Sequence, residues 1–126
     1  MTKHRILYDG QYGFRPKRST IDAISDFVSD FLPSLDKRNT SLAVYLDLSK
    51  AFDTINHGIL IRKLEYYGIR GRALEWFTSY LDQRRQYVNF GGVCSKLQSV
   101  EYGVPQGSVL GPLLFIIYSN DIYGIL

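Results

Sequence analysis

The stretch from Val44 to His57 reads VYLDLSKAFDTINH and decides how the rest of the chain is interpreted. Its first part belongs to a short apolar run, Leu42–Leu48, which is typical of a buried central strand. Asp47 stands at the end of this run, and an ionised carboxylate is costly to bury unless it is paired, hydrogen-bonded or bound to a metal. Asp47 is therefore either a magnesium ligand or an acceptor of hydrogen bonds from the following turn. Asp53 is interpreted as a helix cap or turn former rather than a metal ligand.

A second stretch, Gly103–Phe115, reads GVPQGSVLGPLLF and supplies a constrained loop followed by an apolar helix. Pro112 is expected to start that helix. The loop offers backbone N–H groups and the Gln106 amide just before a helix N-terminus, which favours anions. Such a loop can approach a nucleotide closely, but glycine and proline are also common in turns that bind nothing.

The composition is that of a globular chain of 126 residues, 45% of them hydrophobic, which is enough for one domain with a core. The net charge of +3 favours an anionic partner only weakly. Cys94 is the only cysteine, which excludes an intrachain disulfide and fits a reducing, intracellular compartment, in the nucleus or the cytoplasm. The longest apolar run, Val109–Tyr118, reaches only about half a membrane span, so no membrane association is expected. The apolar end Ile122–Leu126 is interpreted as a truncation.

The spacing of apolar residues predicts several helices and one hairpin. The first helix is expected to open at Ser19, with Asp22 as the capping partner, and to stop or kink at Pro33. Apolar faces are expected at Ile21, Ile24, Val28, Phe31 and Leu32 in this helix, at Leu60, Leu64 and Tyr67 in the next, and at Leu74, Phe77 and Leu81 in a third. Gln86–Phe90 and Lys96–Tyr102 are expected to form the hairpin around Gly91-Gly92. The predicted fold class is α+β, with a central strand, a hairpin and several packed helices in a single unit.

Three ordered blocks resemble those of one known family. They are Gln11–Pro16 with Ser19-Thr20, then YLDLSKAFDTINH, then GVPQGSVLGPLLF, and they span nearly the whole chain. They resemble the reverse transcriptases of non-LTR (LINE-type) retrotransposons. The resemblance implies that residues 1–126 form a single partial domain, an incomplete fingers and palm portion of a right-hand polymerase. It also implies RNA-directed DNA polymerase function in the complete enzyme, with an RNA template, a DNA primer and dNTP as partners.

The resemblance implies a divalent-metal site. Asp47 matches the first metal-binding, catalytic aspartate of the family, and the main-chain carbonyl of Leu48 matches a ligand of a second ion. The ions would be magnesium, with manganese as a substitute. Two such ions activate the primer 3′-hydroxyl and stabilise the departing pyrophosphate in nucleotidyl transfer.

The resemblance also implies a nucleotide site. Phe52 matches the aromatic residue beneath the sugar, where its ring would collide with a ribose 2′-hydroxyl. The backbone of Ser49, Lys50 and Ala51 would lie near the triphosphate. Gln106 and Gly107 match the loop that contacts the incoming nucleotide and the template.

Arg15 falls in the block on the fingers side of the family's enzymes. Both a nucleic-acid contact and a structural role are open for it.

The chain departs from the family at the second catalytic block, which carries two adjacent aspartates. No Asp-Asp pair occurs in this chain. Tyr118-Ser119-Asn120-Asp121 continues the last predicted helix, so Asp121 is not expected to bind metal. The fragment alone is therefore expected to be inactive. Two alternatives stay open: a nucleic-acid-binding polymerase remnant without catalysis, and a magnesium-dependent phosphohydrolase that uses Asp47 and Asp53. The oligomeric state is not predicted.

Overall fold

A computed structural model describes residues 6–37 and 39–124, in two compact units that meet in sequence between Ser49 and Lys50. The described residues combine α-helices with short antiparallel strands, which agrees with the predicted α+β class at this coarse level. In chain order the elements are α1 (Thr20–Asp36), α2 (His57–Tyr66), α3 (Arg72–Leu81), β1 (Arg85–Gln86), β2 (Asn89–Phe90), β3 (Val93–Cys94), β4 (Gln98–Ser99) and α4 (Leu110–Ser119).

The N-terminus of α1 has the predicted capping box. The backbone N–H of Asp22 donates to Ser19 Oγ at 3.2 Å, and the backbone N–H of Ser19 donates to Asp22 Oδ2 at 2.7 Å. These two bonds satisfy donors that the first helical turn leaves without partners. The helix was predicted to stop or kink at Pro33, and it does not stop there, because α1 continues to Asp36. A proline so near the C-terminus removes a single helical hydrogen bond, which the last turn tolerates.

The apolar face predicted for α1 is mostly exposed in the first unit. No α1 residue that the structure describes is buried, and Ile21 is 76% exposed. Phe27 packs against Phe31, with ring centroids 4.5 Å apart, and against Tyr45 at 5.8 Å. These aromatic contacts pack α1 against Tyr45 within its own unit.

The segment Leu42–Leu48 is not the buried central strand that its composition predicted. It has no strand assignment, and Leu42 and Leu46 are 88% and 72% exposed. A strand is stabilised by hydrogen bonds to a neighbouring strand. In the part of the chain that the structure describes, the four strands pair only within the hairpin, and none of them pairs with Leu42–Leu48.

The second unit has a hydrophobic core between α2, α3 and α4. Leu60 and Leu64 on α2 are fully buried, as the helical spacing predicted, whereas Tyr67 is half-buried. The other fully or almost fully buried side chains are Ile55, Leu81, Val104, Leu114, Ile116 and Ile117. Burial of each large aliphatic side chain contributes about 1.5 to 3 kcal/mol. This core fixes α4 and the loop that precedes it.

The last helix, α4, starts at Leu110, two residues before the predicted Pro112. Pro112 fits there because the first turn of a helix has N–H groups without intrahelical partners. After α4, Ile122–Gly124 form a short 3-10 turn, and Ile125 and Leu126 lie outside the described residues. Among residues 6–37 and 39–124, no helix combines the length and the apolar character needed to cross a membrane.

The hairpin forms around Gly91-Gly92 as predicted, and its second arm pairs from Val93 onward rather than from Lys96. Both turn glycines have positive φ, +57° and +83°, the backbone that two-residue hairpin turns require. Near the turn Asn89 pairs with Cys94, and at the base Arg85 pairs with Ser99. Between these pairs, residues 87–88 face residues 95–97, which makes a one-residue bulge in the second arm.

Candidate active site

Backbone hydrogen bonds bring the two informative stretches together in the second unit. The N–H of Gly103 donates to Ile55 O at 2.7 Å, and the N–H of Val104 donates to Phe52 O at 2.9 Å. Asn56 and Tyr102 form an antiparallel bridge beside these bonds. The segment after Ala51 therefore lies directly against the start of the Gln106 loop.

Gly103 is required for this close approach. It has a φ of +85°, and a Cβ at this position would lie 2.8 Å from Asp53 Cα and 2.9 Å from Phe52 O. The carbonyl of Gly103 also accepts a hydrogen bond from His57 Nε2 at 2.7 Å, which assigns the ring proton to Nε2. Nothing in the local sequence around His57 indicates this contact.

A cavity of about 220 Å³ lies where these segments meet. Phe52, Gln106 and Gly107 line it, together with Pro105 and Pro112. The Phe52 ring packs on Phe115, with ring centroids 4.8 Å apart and an interplanar angle of 32°. Three residues that the resemblance assigned to nucleotide binding thus share one cavity.

Asp53 contacts the same loop through its side chain. It lies in the short 3-10 turn Ala51–Asp53, and Gln106 Nε2 donates to Asp53 Oδ1 at 3.2 Å. Asp53 is a turn residue, as predicted, and the cap of α2 is Asn56, whose side chain accepts from the N–H of Ile59 at 3.0 Å. The Asp53 contact orients the Gln106 amide.

Ser108 connects the loop to α4. Its hydroxyl donates to Pro105 O at 2.7 Å, and its Oγ accepts from the N–H of Gly111 at 2.9 Å. A Cβ on Gly111 would lie 2.8 Å from Pro105 O, so the helix begins very close to the loop backbone. These contacts hold the loop at the N-terminus of α4.

Asp47, Leu48 and Ser49 belong to the first unit, where all three are exposed. Lys50 begins the second unit in a left-handed conformation, with φ of +52°, and Ala51 is half-buried. One protein carboxylate is compatible with a Mg²⁺ ion, which commonly takes one or two and completes its octahedron with water and phosphate oxygens, and the binding of an ion by Asp47 stays a prediction. Among the described residues no three His, Cys, Asp or Glu side chains form a metal-binding group.

Arg15 makes contacts within the first unit. Its Nη1 donates to Tyr8 O at 2.8 Å and to Gln11 O at 3.3 Å, and its side chain is 14% exposed. Nearby, the Tyr12 hydroxyl donates to Asp26 on α1, and this hydrogen bond raises the pKa of Tyr12. These contacts describe a structural role for Arg15, and its nucleic-acid contact stays a prediction.

Asp121 is engaged by Lys63 of α2. Lys63 Nζ lies 2.5 Å from Asp121 Oδ1 and also donates to Tyr118 O in the last turn of α4. The hydrogen bond from Lys63 lowers the pKa of Asp121. Asp121 thus joins α2 to the end of α4.

Comparisons with known proteins agree with the sequence blocks. The family model described as "Reverse transcriptase (RNA-dependent DNA polymerase)" matches residues 1–126. The chain is 37% identical over 128 residues to "Probable RNA-directed DNA polymerase from transposon BS" of Drosophila melanogaster, covering 97% of this chain and 13% of that protein. It is 35% identical over 127 residues to "Probable RNA-directed DNA polymerase from transposon X-element" of the same species, covering 96% and 13%.

A third relative is "RNA-directed DNA polymerase from mobile element jockey" of Drosophila funebris, 32% identical over 117 residues and covering 93% of this chain. The chain spans about 13% of the length of each of these three relatives. The resemblance to reverse transcriptases of non-LTR retrotransposons is confirmed, and the chain belongs to the reverse transcriptase (RNA-dependent DNA polymerase) family.

Proposed function

We propose that this chain supplies the nucleotide-selecting part of the fingers and palm region in a right-hand polymerase that copies RNA into DNA. The observation that carries the proposal is the shared cavity of Phe52, Gln106 and Gly107. Phe52 and Gln106 stand 54 positions apart in the sequence and meet because the Gly103 backbone lies against residues 52–55. A nucleotide placed in this cavity would contact an aromatic ring, an amide and a loop backbone.

Phe52 selects the sugar in this proposal. Its ring is held by Phe115, so it cannot move away from a substrate without losing that packing. A ribose 2′-hydroxyl directed at the ring would meet a rigid apolar surface with no hydrogen-bond partner on it. Deoxynucleotides avoid both the overlap and the unsatisfied hydroxyl.

Gln106 positions the nucleotide. A primary amide has two N–H donors and one carbonyl acceptor. One N–H of Gln106 donates to Asp53, which fixes the plane of the amide and presents its other polar groups in a set direction. Gly107 lets the neighbouring backbone approach the same cavity, because it carries no side chain.

Asp47 and the Leu48 carbonyl would hold the divalent ions, magnesium or manganese. Ions bound there would activate the primer hydroxyl and neutralise the triphosphate. The chain's own contribution is the exposed Asp47 carboxylate and, after Leu48, the residues Ser49, Lys50 and Ala51, whose backbone would lie along the triphosphate. The RNA template, the DNA primer and the dNTP are partners of the whole enzyme, of which this chain covers the portion matched in its relatives.

A graft into a relative tests the proposal. Residues 1–126 would replace the matching segment of the transposon BS protein, which is 37% identical. Primer extension on an RNA template is expected in the graft, and Asp47→Ala is expected to reduce it by several orders of magnitude. The matched control is Asp30→Ala, which removes an exposed carboxylate on α1 in the same unit.

Extension that survives Asp47→Ala, or that falls equally with Asp30→Ala, would contradict the metal-binding role. A graft that binds template and primer but does not extend the primer would favour the nucleic-acid-binding remnant. A phosphohydrolase that pairs Asp47 with Asp53 has less support, since the Asp53 carboxylate accepts the Gln106 hydrogen bond.

A further inference from the structure

A second, larger cleft of about 500 Å³ lies between the base of the hairpin and the Gln106 loop. Pro105 and Gln106 line both this cleft and the Phe52 cavity, so the two spaces are neighbours. From the hairpin the lining side chains are Arg84, Gln86, Val100 and Tyr102.

The hairpin presents these four side chains on one face because of its register. The N–H of Val100 donates to Arg84 O at 2.8 Å, which continues the pairing of β1 with β4. Residues directly opposite each other in an antiparallel pair point to the same face, and so do residues two apart on one arm. Arg84, Gln86, Val100 and Tyr102 therefore share the cleft face, whereas Glu101 falls on the other face.

The cleft face combines three kinds of group. Arg84 is held with its guanidinium 5.5 Å from the ring centroid of Tyr80, which fixes a cation at the edge of the cleft. Tyr102 offers an aromatic side chain that is 56% exposed. Gln86 and Gln106 offer amides that can donate and accept hydrogen bonds. A cation, an exposed ring and amides are the groups with which proteins contact phosphates, stack bases and read base edges in single strands.

We infer that this cleft binds a single-stranded polynucleotide, with Arg84 at a phosphate and Tyr102 stacked on a base. An unpaired strand is required because bases in a duplex are already stacked on each other. The inference deepens the proposed function and rests on it, since Gln106 lies between the cleft and the nucleotide cavity. The strand in the cleft would then be the part of a template next to the incoming nucleotide.

Equilibrium binding of the 126-residue chain to short fluorescent oligo(rU) and oligo(dU) tests the inference by fluorescence anisotropy. Arg84→Gln is expected to weaken binding about fivefold or more at low salt and to lower the magnitude of the salt slope by about 0.7. Arg85→Gln is the matched control, because it removes the neighbouring cation from the opposite face and should change affinity less than about twofold.

A second pair of variants separates stacking from charge. Tyr102→Leu is expected to weaken binding about fivefold or more, the loss of one base stacked on an aromatic ring. Tyr87→Leu removes another exposed tyrosine of the hairpin that does not line the cleft, and it should bind like the unsubstituted chain. Circular dichroism checks the fold of each variant. If Arg84→Gln does not fold, the comparison of Tyr102→Leu with Tyr87→Leu tests the inference instead.

Equal losses from Arg84→Gln and Arg85→Gln would overturn the inference, because they would indicate diffuse charge alone. The absence of binding to both oligonucleotides at low salt would overturn it as well. Dependence on Arg84 with one oligonucleotide only would support it and identify the sugar of the bound strand. An active graft without Arg84-dependent binding contradicts this inference alone, whereas an inactive graft with Arg84-dependent binding contradicts the proposed function alone.

Discussion

The substitution Gly103→Ala tests whether a close backbone approach holds the candidate site together. A Cβ on this residue would lie 2.8 Å from Asp53 Cα and 2.9 Å from Phe52 O. Both are backbone atoms in a segment that accepts hydrogen bonds from Gly103 and Val104, so neither can move away by a change of rotamer as a side-chain atom would. The alanine should force the loop and the Phe52 segment apart.

The size of the effect follows from a comparison with Gly92→Ala. Gly92 has nearly the same φ, +83° against +85°, and its Cβ would have no described atom within 4 Å. Alanine at positive φ costs about 1 to 2 kcal/mol at either position. This cost cancels in the comparison and leaves the overlap, for which overpacking typically costs about 1 to 3 kcal/mol. Gly103→Ala should therefore lower the free energy of unfolding by about 1 to 3 kcal/mol more than Gly92→Ala.

Urea unfolding followed by the fluorescence of Trp76 measures this difference, because Trp76 is the only tryptophan and lies on α3 in the second unit. With a denaturant slope of about 1 to 3 kcal/mol per molar, the midpoints of the two variants should differ by roughly 1 M. If the two substitutions cost the same to within about 0.5 kcal/mol, the steric reasoning is wrong, and the loop is not held by this contact.

Three further predictions concern the substrate, the isolated chain and the end of α4. In the graft, Phe52→Val should raise kcat/KM for the ribonucleotide relative to the deoxynucleotide, with each tenfold change corresponding to about 1.4 kcal/mol. An unchanged ratio would mean that Phe52 is a core aromatic residue and does not select the sugar. The 126-residue chain alone should show no extension of a primer on oligo(rA) with dTTP and magnesium, because it carries no Asp-Asp pair; extension that depends on Asp47 would refute this. At pH 7, Asp121→Asn should lower the free energy of unfolding by less than about 1 kcal/mol. Since Lys63 lowers the pKa of Asp121 below 3.8, this stabilisation is present above that pH and is lost as the pH falls through the folded-state pKa. If the difference in unfolding free energy between the unsubstituted chain and Asp121→Asn does not shrink below pH 3.8, the ion pair is not its cause.

The elements that the sequence predicted well are those fixed by near neighbours in the chain. Ser19 and Asp22 cap α1 within one turn, and Gly91-Gly92 close the hairpin through their own backbone conformations. The prediction of a strand at Leu42–Leu48 was wrong because a strand depends on pairing with another strand, and the composition of the segment does not show whether such a strand pairs with it.

In the candidate site, the residues that the sequence predicted are those that match the motifs of the family. Phe52, Gln106 and Gly107 were assigned through the resemblance, and the structure brings those three together. The contacts of His57 with Gly103 and of Gln106 with Asp53 join residues 46 and 53 positions apart. No local spacing encodes such a pair, because the backbone ties between the two segments create it.

The position of Cys94 beside the hairpin turn has a practical consequence for measurements on this chain. Cys94 is exposed and pairs with Asn89 beside the turn, whereas the cleft residues of the second arm lie beyond the bulge. It is also the only thiol in the sequence. A fluorophore coupled to Cys94 would therefore label every molecule at one known place without any cysteine replacement, and its signal would report strand binding from a position that does not line the cleft.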